Sequence, residues 1–186
     1  MDEKTNKALR KAADVFLTVL IGCIIGWIYE MLFYRIDRGE FIKRGQGFGP
    51  WLPIYGFGAI GIIVLMHGRK LSAVVVFLLT ALGAGVFEFV VGWALFTFFN
   101  GLRLWDYNVE IWSLGNIGGY VCLRSVLVFG ILGVLFCKAI MPLTKKIAQK
   151  TNIKVLLCIT VPLALMFFSD LVYGYIIKPL TTGSFQ

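Results

Sequence analysis

Long apolar runs interrupted by short polar stretches set the pattern of this chain. About 20 apolar residues cross a bilayer core of roughly 30 Å, and five such runs are legible, at residues 12–34, 51–66, 71–99, 117–141 and 155–177. The second is the shortest. Together they predict an all-α fold, a polytopic membrane helical bundle of about five transmembrane helices with a Gly/Pro-rich, re-entrant-like outer loop. The connections are too short for a separate soluble domain, so residues 1–186 read as one integral membrane domain. Residues 1–11 are charged like the start of a signal peptide. The run after them is too long, ends in Glu30 and has no small-x-small cleavage site, so it is kept as a helix.

Composition agrees with the pattern: 59% of the 186 residues are hydrophobic and 15% are charged, which excludes a soluble globular domain. Charge then adds an orientation. Lys4, Lys7, Arg10, Lys11, Arg69, Lys70, Lys138, Lys145, Lys146, Lys150 and Lys154 fall on one side of the runs. Arg35, Arg38, Lys43, Arg44, Arg103 and Lys178 fall on the other. Cationic loops stay inside, so the expected location is the cell membrane, multi-pass, with the N-terminus cytoplasmic and the C-terminus outside. The net charge of +8 is mainly this topology signal plus attraction to anionic headgroups, and no nucleic-acid partner is expected.

Four ionisable side chains lie inside apolar runs: Glu30, Glu88, Arg124 and Asp170. With the topology above, all four sit in the outer half of the bilayer. Each charge costs about 3 kcal/mol at mid-membrane on insertion scales, so they must pair, hydrate or neutralise. A Glu88–Arg124 pair is the expected arrangement, with the other carboxyls binding a cation or holding a proton. The structural alternative is that Glu88 and Arg124 only staple two helices. Gly22, Gly26 and Glu30 share one helical face, as do Gly85, Glu88 and Gly92, so these faces pack against protein. Asp170 shares its face with Phe167, Tyr173 and Gly174.

The two outer loops are rich in Gly, Trp, Tyr and Pro. Residues 45–58 hold five glycines and two prolines, and irregular backbone at membrane depth survives only under protein or beside a water-filled cavity. The stretch is either re-entrant or an interfacial loop anchored by Trp51 and Tyr55. In the second loop, Trp105, Asp106, Tyr107 and Asn116 either cap a pocket or clamp the loop, with Arg103 as one partner for Asp106. A glycine shortly before a glutamate (Gly26 and Glu30, Gly85 and Glu88), a Gly-rich outer loop and helix-opening glycines (Gly56 and Gly58, Gly118 and Gly119) recur in this order, a weak internal parallel of a kind common in transporters.

Other chemistries leave no trace. There is no GxxxxGK[ST], HExxH or GxSxG, no CxxC and no metal-ligand spacing. Cys23, Cys122, Cys137 and Cys158 read as packing residues. No cofactor, no metal and no catalytic residue are expected, and the chain does not hydrolyse ATP by itself.

The ordered set Trp27-Ile28-Tyr29-Glu30, the Gly-Pro-x-x-Pro-Ile-Tyr-Gly-x-Gly run of residues 49–58, Glu88, Trp105-Asp106-Tyr107, Asn116 and Gly119-Tyr120-Val121-Cys122-Leu123 resembles the family labelled putative ABC-transporter type IV. These are small multi-pass bacterial membrane proteins with animal relatives. The likeness covers roughly residues 26–133, with Asn108 where a serine is more usual. It implies a transporter or permease and, with it, an ATPase partner.

The expected function is therefore permease-like: an outward-facing polar pocket that binds or passes a small solute, lined by Glu30, Tyr55, Glu88, Asp106, Tyr107, Asn116, Arg124 and Asp170. The bilayer, a solute or lipid headgroup, and a homo-oligomer or ATPase partner are the expected company. Two alternatives stay open. One is an intramembrane enzyme on a lipid or lipid-linked headgroup, although the balance is against an enzyme; the other is a membrane assembly factor with no ligand.

Overall fold

The structure, a computed structural model, describes residues 2–182. Its elements in chain order are α1 (Glu3–Arg38), α2 (Pro53–Met66), α3 (Ala73–Phe98), α4 (Leu123–Leu135), a π-helical turn (Phe136–Ile140), α5 (Met141–Lys150), α6 (Ile153–Val172), a second π-helical turn (Tyr173–Ile177) and α7 (Lys178–Thr182). Among the described residues four helical rods are long and apolar enough to cross a membrane: Glu3–Arg38, Ala73–Phe98, Leu123–Lys150 and Ile153–Thr181. The shorter apolar helix Pro53–Met66 is the fifth. Among the described residues there is no strand, only an isolated bridge between Ile117 and Val121.

Local chemistry sets the ends of these helices. Asp2 caps α1 by accepting from the Thr5 amide, and Gly39, in the left-handed region at φ 76°, stops it. Ser72 caps α3 through the Val75 amide. Each π-helical turn ends two residues before a proline, Pro142 or Pro179. Proline has no N–H for the carbonyl four residues back, and the helix accommodates that loss by widening one turn.

Boundaries differ from the sequence expectation at three main places, and the first is α1, which runs from Glu3 to Arg38 rather than over residues 12–34. The fourth rod starts at Leu123 rather than 117, because residues 117–122 close a turn in which the Ile117 amide bonds the Val121 carbonyl. The connection expected at 142–154 is mostly helix, with a turn of only Thr151 and Asn152 before α6. Lysines lower mean hydropathy there without lowering helix propensity.

The chain forms two compact units, one from Met1–Ile60 with Ile140–Gln186 and the other from Gly61–Ala139. In unit 1, α6 runs parallel to α1: Leu156 packs with Ala13, and Phe167 with Leu20 and Cys23. α5 runs antiparallel, with Ala148 beside Ala13 and a buried Thr18–Thr144 hydroxyl bond of 2.7 Å. Arg10 Nη1 donates to the carbonyls of Ala148 (2.6 Å) and Thr151 (2.9 Å), closing the end of α5. In unit 2, α3 and α4 are antiparallel. Gly130 and Gly133 receive Phe77 and Thr80 at one end, and Glu88 meets Ser125 toward the other.

Unit 1 contains the re-entrant stretch. The Leu52 amide donates to the Cys23 carbonyl at 3.0 Å, although Cys23 lies fifteen residues, or about 22 Å along the helix, before the end of α1. The chain leaving α1 thus turns back along it in irregular conformation before α2 begins. α2, 14 residues long, is only about 21 Å because part of the return is already made.

Candidate functional site

Asp170 organises the first loop. Its carboxylate, 9% exposed, accepts from the Phe48 amide (2.7 Å), the Gly49 amide (3.1 Å) and Trp51 Nε1 (2.7 Å). Three donors on one carboxylate form charge-assisted bonds that cover the ion without a cation. So close an approach demands glycine on both sides. A Cβ on Gly47 would collide with the Asp170 carboxylate, and one on Gly174, in the second π-helical turn, would lie 2.8 Å from the Gly47 amide nitrogen. The Trp51 ring packs edge-on against Phe167 at 5.5 Å, which makes Trp51 an internal anchor rather than a member of an aromatic belt. Phe48 stacks on Tyr173 at 5.0 Å.

Glu30 is held at the same loop. Its Oε2 accepts from Arg44 Nε at 2.6 Å, and the Arg44 guanidinium lies 4.3 Å from the centre of the Tyr34 ring. Tyr55 lays its ring on Gly26, where any Cβ would overlap it. Three of the eight expected residues, Glu30, Tyr55 and Asp170, are thus in unit 1, with Glu30 and Asp170 both bound to residues of the loop at 39–52.

The other five belong to unit 2. Glu88, 8% exposed, accepts from the Tyr107 hydroxyl at 2.5 Å and from Ser125 Oγ at 2.7 Å. Burial first, and then the Glu88 carboxylate beside it, push the Tyr107 hydroxyl far above the ordinary tyrosine range, so it remains a proton donor. Arg124 does not take Glu88 as its ion-pair partner, as the sequence suggested. It pairs with Glu110 at 2.5 Å, both side chains nearly buried, and lies 5.4 Å from the Tyr107 ring centre. A buried guanidinium takes whichever carboxylate meets its planar fork, and the loop brings Glu110 there.

Asp106 and Asn116 fold the second loop on itself. Asp106 Oδ1 accepts from the Asn108 amide (3.0 Å), Asn108 Nδ2 (2.7 Å) and Arg103 Nη1 (3.3 Å). Asn116 donates to Asn108 Oδ1 at 2.8 Å and accepts from the Gly119 amide at 2.8 Å. Gly119, at φ 81°, has no room for a Cβ beside Arg103, Asn108 and Asp106. Trp105 Nε1 donates to the Tyr120 carbonyl at 2.8 Å. The clamp expectation for Trp105–Tyr107 therefore matches these bonds, including the Arg103 partner.

Four participants escaped the sequence expectation for the site: Arg44, Trp51, Glu110 and Ser125. Arg44 and Trp51 were legible as a topology charge and an aromatic anchor, and Ser125 follows Arg124 directly. Nothing in the local sequence marks Glu110. Unit 2 also has an apolar surface groove of about 300 Å³, lined by Ala81, Gly85 and Phe89 of α3, Ile117 and Val121 of the loop, and Val126 of α4. None of the eight expected residues lines it. Among the described residues no group of three or more His, Cys, Asp or Glu side chains could hold a metal ion.

Apolar rods of membrane length, with buried carboxylates holding irregular loops, define an integral membrane protein of the polytopic helical class. The family model described as putative ABC-transporter type IV matches residues 17–175, and the chain belongs to that family. No curated protein and no solved structure matches it.

Proposed function

We propose that this chain is the membrane-spanning, permease-like subunit of a transport system, one membrane domain whose two outer loops guard the passage of a small solute. The observation that carries this reading is that Glu30, Glu88 and Asp170, the acidic residues well inside the apolar runs, are each bonded to one of the two outer loops. A loop tied to a helix by charge-assisted bonds moves when that helix moves, which is what a gate requires. In unit 1 Glu30, Tyr55 and Asp170, and in unit 2 Glu88, Asp106, Tyr107, Asn116 and Arg124, are the proposed solute-contacting residues, each set exposed when its own loop releases.

The parallel run of α1 and α6 supports ends on opposite faces of the membrane, and the excess of Lys and Arg on the side of the N-terminus favours a cytoplasmic N-terminus and an outer C-terminus. Two parallel spans that begin and end the chain leave its ends on opposite faces, which needs an odd number of crossings; α2 with the re-entrant stretch supplies the fifth. The family name is compatible with an ATPase partner, and association with further copies would complete a pathway that five helices are few to enclose. An intramembrane enzyme is less favoured, because the carboxylates and Arg124 are engaged with loop groups. The full bonding of Asp170 by loop donors favours a second reading, an assembly factor with no ligand of its own.

Native mass spectrometry of the protein released in mild detergent, wild type beside Glu30→Gln and Glu88→Gln, separates the two. A small molecule retained by wild type and lost from the variants is the expected result. An empty wild type with unchanged assembly in the variants rejects the solute reading and leaves the assembly factor.

A further inference from the structure

One end of unit 1 is crowded with lysines, in excess of the three acidic residues there, Asp2, Glu3 and Asp14. Lys4, Lys7 and Lys11 on α1, Lys145, Lys146 and Lys150 on α5, and Lys154 at the start of α6 are all exposed. Residues 141–154 contain four lysines and no acidic residue. Among the described residues, none of the seven ammonium groups takes part in an ion pair.

Their placement is fixed by the packing of three helices. Arg10 binds the carbonyls of Ala148 and Thr151, and Leu156 packs with Ala13 and Ala148. Lys11, Lys150 and Lys154 therefore lie within about one helical turn of the same level along α1. Because Thr144 meets Thr18, Lys145 and Lys146 lie more than one turn further toward the middle of α1, about 7 Å. Exposed apolar residues share that stretch: Leu143 and Ile147 on α5, Val155 on α6 and Val15 on α1. Lysines rooted among exposed aliphatic side chains are built to extend along acyl chains and raise their ammonium groups to headgroup level. A face made for a soluble acidic protein has no use for that aliphatic background.

We propose that the α1–α5–α6 end of unit 1 is a binding site for anionic phospholipid headgroups, with the lysine ammonium groups on the phosphate and Leu143, Ile147 and Val155 against the acyl chains. The site is separate from the loop-bound carboxylates, and it stands whether or not a solute passes through the protein.

The test is native mass spectrometry of the full chain in mild detergent, titrated with dioleoylphosphatidylglycerol or with dioleoylphosphatidylcholine. Wild type retains the anionic lipid preferentially. At about 5-fold per lysine near the surface, the triple variant Lys145→Gln, Lys146→Gln, Lys150→Gln loses on the order of 100-fold of that preference. A control triple, Arg38→Gln, Lys43→Gln, Lys178→Gln, keeps it, and both variants melt like wild type in phosphatidylcholine. Equal retention of the two lipids by wild type overturns the proposal, as does an undiminished preference in the lysine variant. Displacement of the lipid by soluble glycerol phosphate at equal concentration also overturns it, because the site would then read a free anion and not a membrane.

Discussion

The two outer loops share one kind of tie, a side-chain ion pair to a helix, Arg44 with Glu30 in unit 1 and Glu110 with Arg124 in unit 2, and differ in the rest. In unit 1, a helix carboxylate takes up loop amides directly: Asp170 binds the backbone of Phe48 and Gly49 together with the Trp51 indole. In unit 2, the loop first folds on itself through Asp106, Asn108 and Asn116, then attaches by side chains, Tyr107 to Glu88 and Glu110 to Arg124. Backbone recognition needs almost no particular side chain on the loop but forbids a Cβ at the contact. Side-chain recognition tolerates backbone variety and depends on individual functional groups. The first loop should therefore break at its glycines and at Asp170, and the second at Tyr107 and at the nearly buried Glu110–Arg124 pair.

The largest effect expected is from Asp170→Ala, which leaves three donors without their acceptor and should destabilise unit 1 by about 4 kcal/mol, read as a fall in detergent melting temperature. Arg124→Gln removes one partner of a nearly buried pair and should cost about 3 kcal/mol, with protease sensitivity rising in residues 99–122 while residues 39–52 stay protected. Gly47→Ala or Gly174→Ala forces the backbone off Asp170 and should cost about 2 kcal/mol; the same change at Gly58, which has open space around it, should be nearly neutral by the same melt. Glu88→Gln keeps an acceptor and gains a donor, and should cost about 1 kcal/mol. A loss from Gly47→Ala no greater than from Gly58→Ala would erase the distinction between the loops.

Much of this was legible before any coordinates. Runs of apolar residues near membrane length identify helices almost regardless of tertiary context, because unsatisfied backbone is so costly in lipid. The unusual glycine and proline density of residues 45–58 marked the re-entrant stretch for the same reason. The four ionisable residues in the apolar runs were conspicuous by composition alone, although Arg124 stands in the first turn of α4 and not inside a span. Their partners were not, since a loop residue such as Glu110 reaches Arg124 only through a fold of the loop that Asp106, Asn116 and Gly119 together determine. The expected Glu88–Arg124 pair failed on that point: helix periodicity brings two faces together, but it does not rank competing acceptors within reach of one guanidinium. The extension of the fourth rod to Lys150 was hidden because hydropathy reports where lipid ends, not where a helix does.

Hydrogen–deuterium exchange of residues 45–52 in wild type and Asp170→Asn tests most directly the claim that an intramembrane carboxylate holds the first loop. Loss of charge-assisted bonds worth about 2 kcal/mol should speed exchange at the Phe48 and Gly49 amides by at least about 10-fold, with residues 103–121 unchanged. Equal exchange in the two proteins would contradict the claim and leave the loop held by its packing alone.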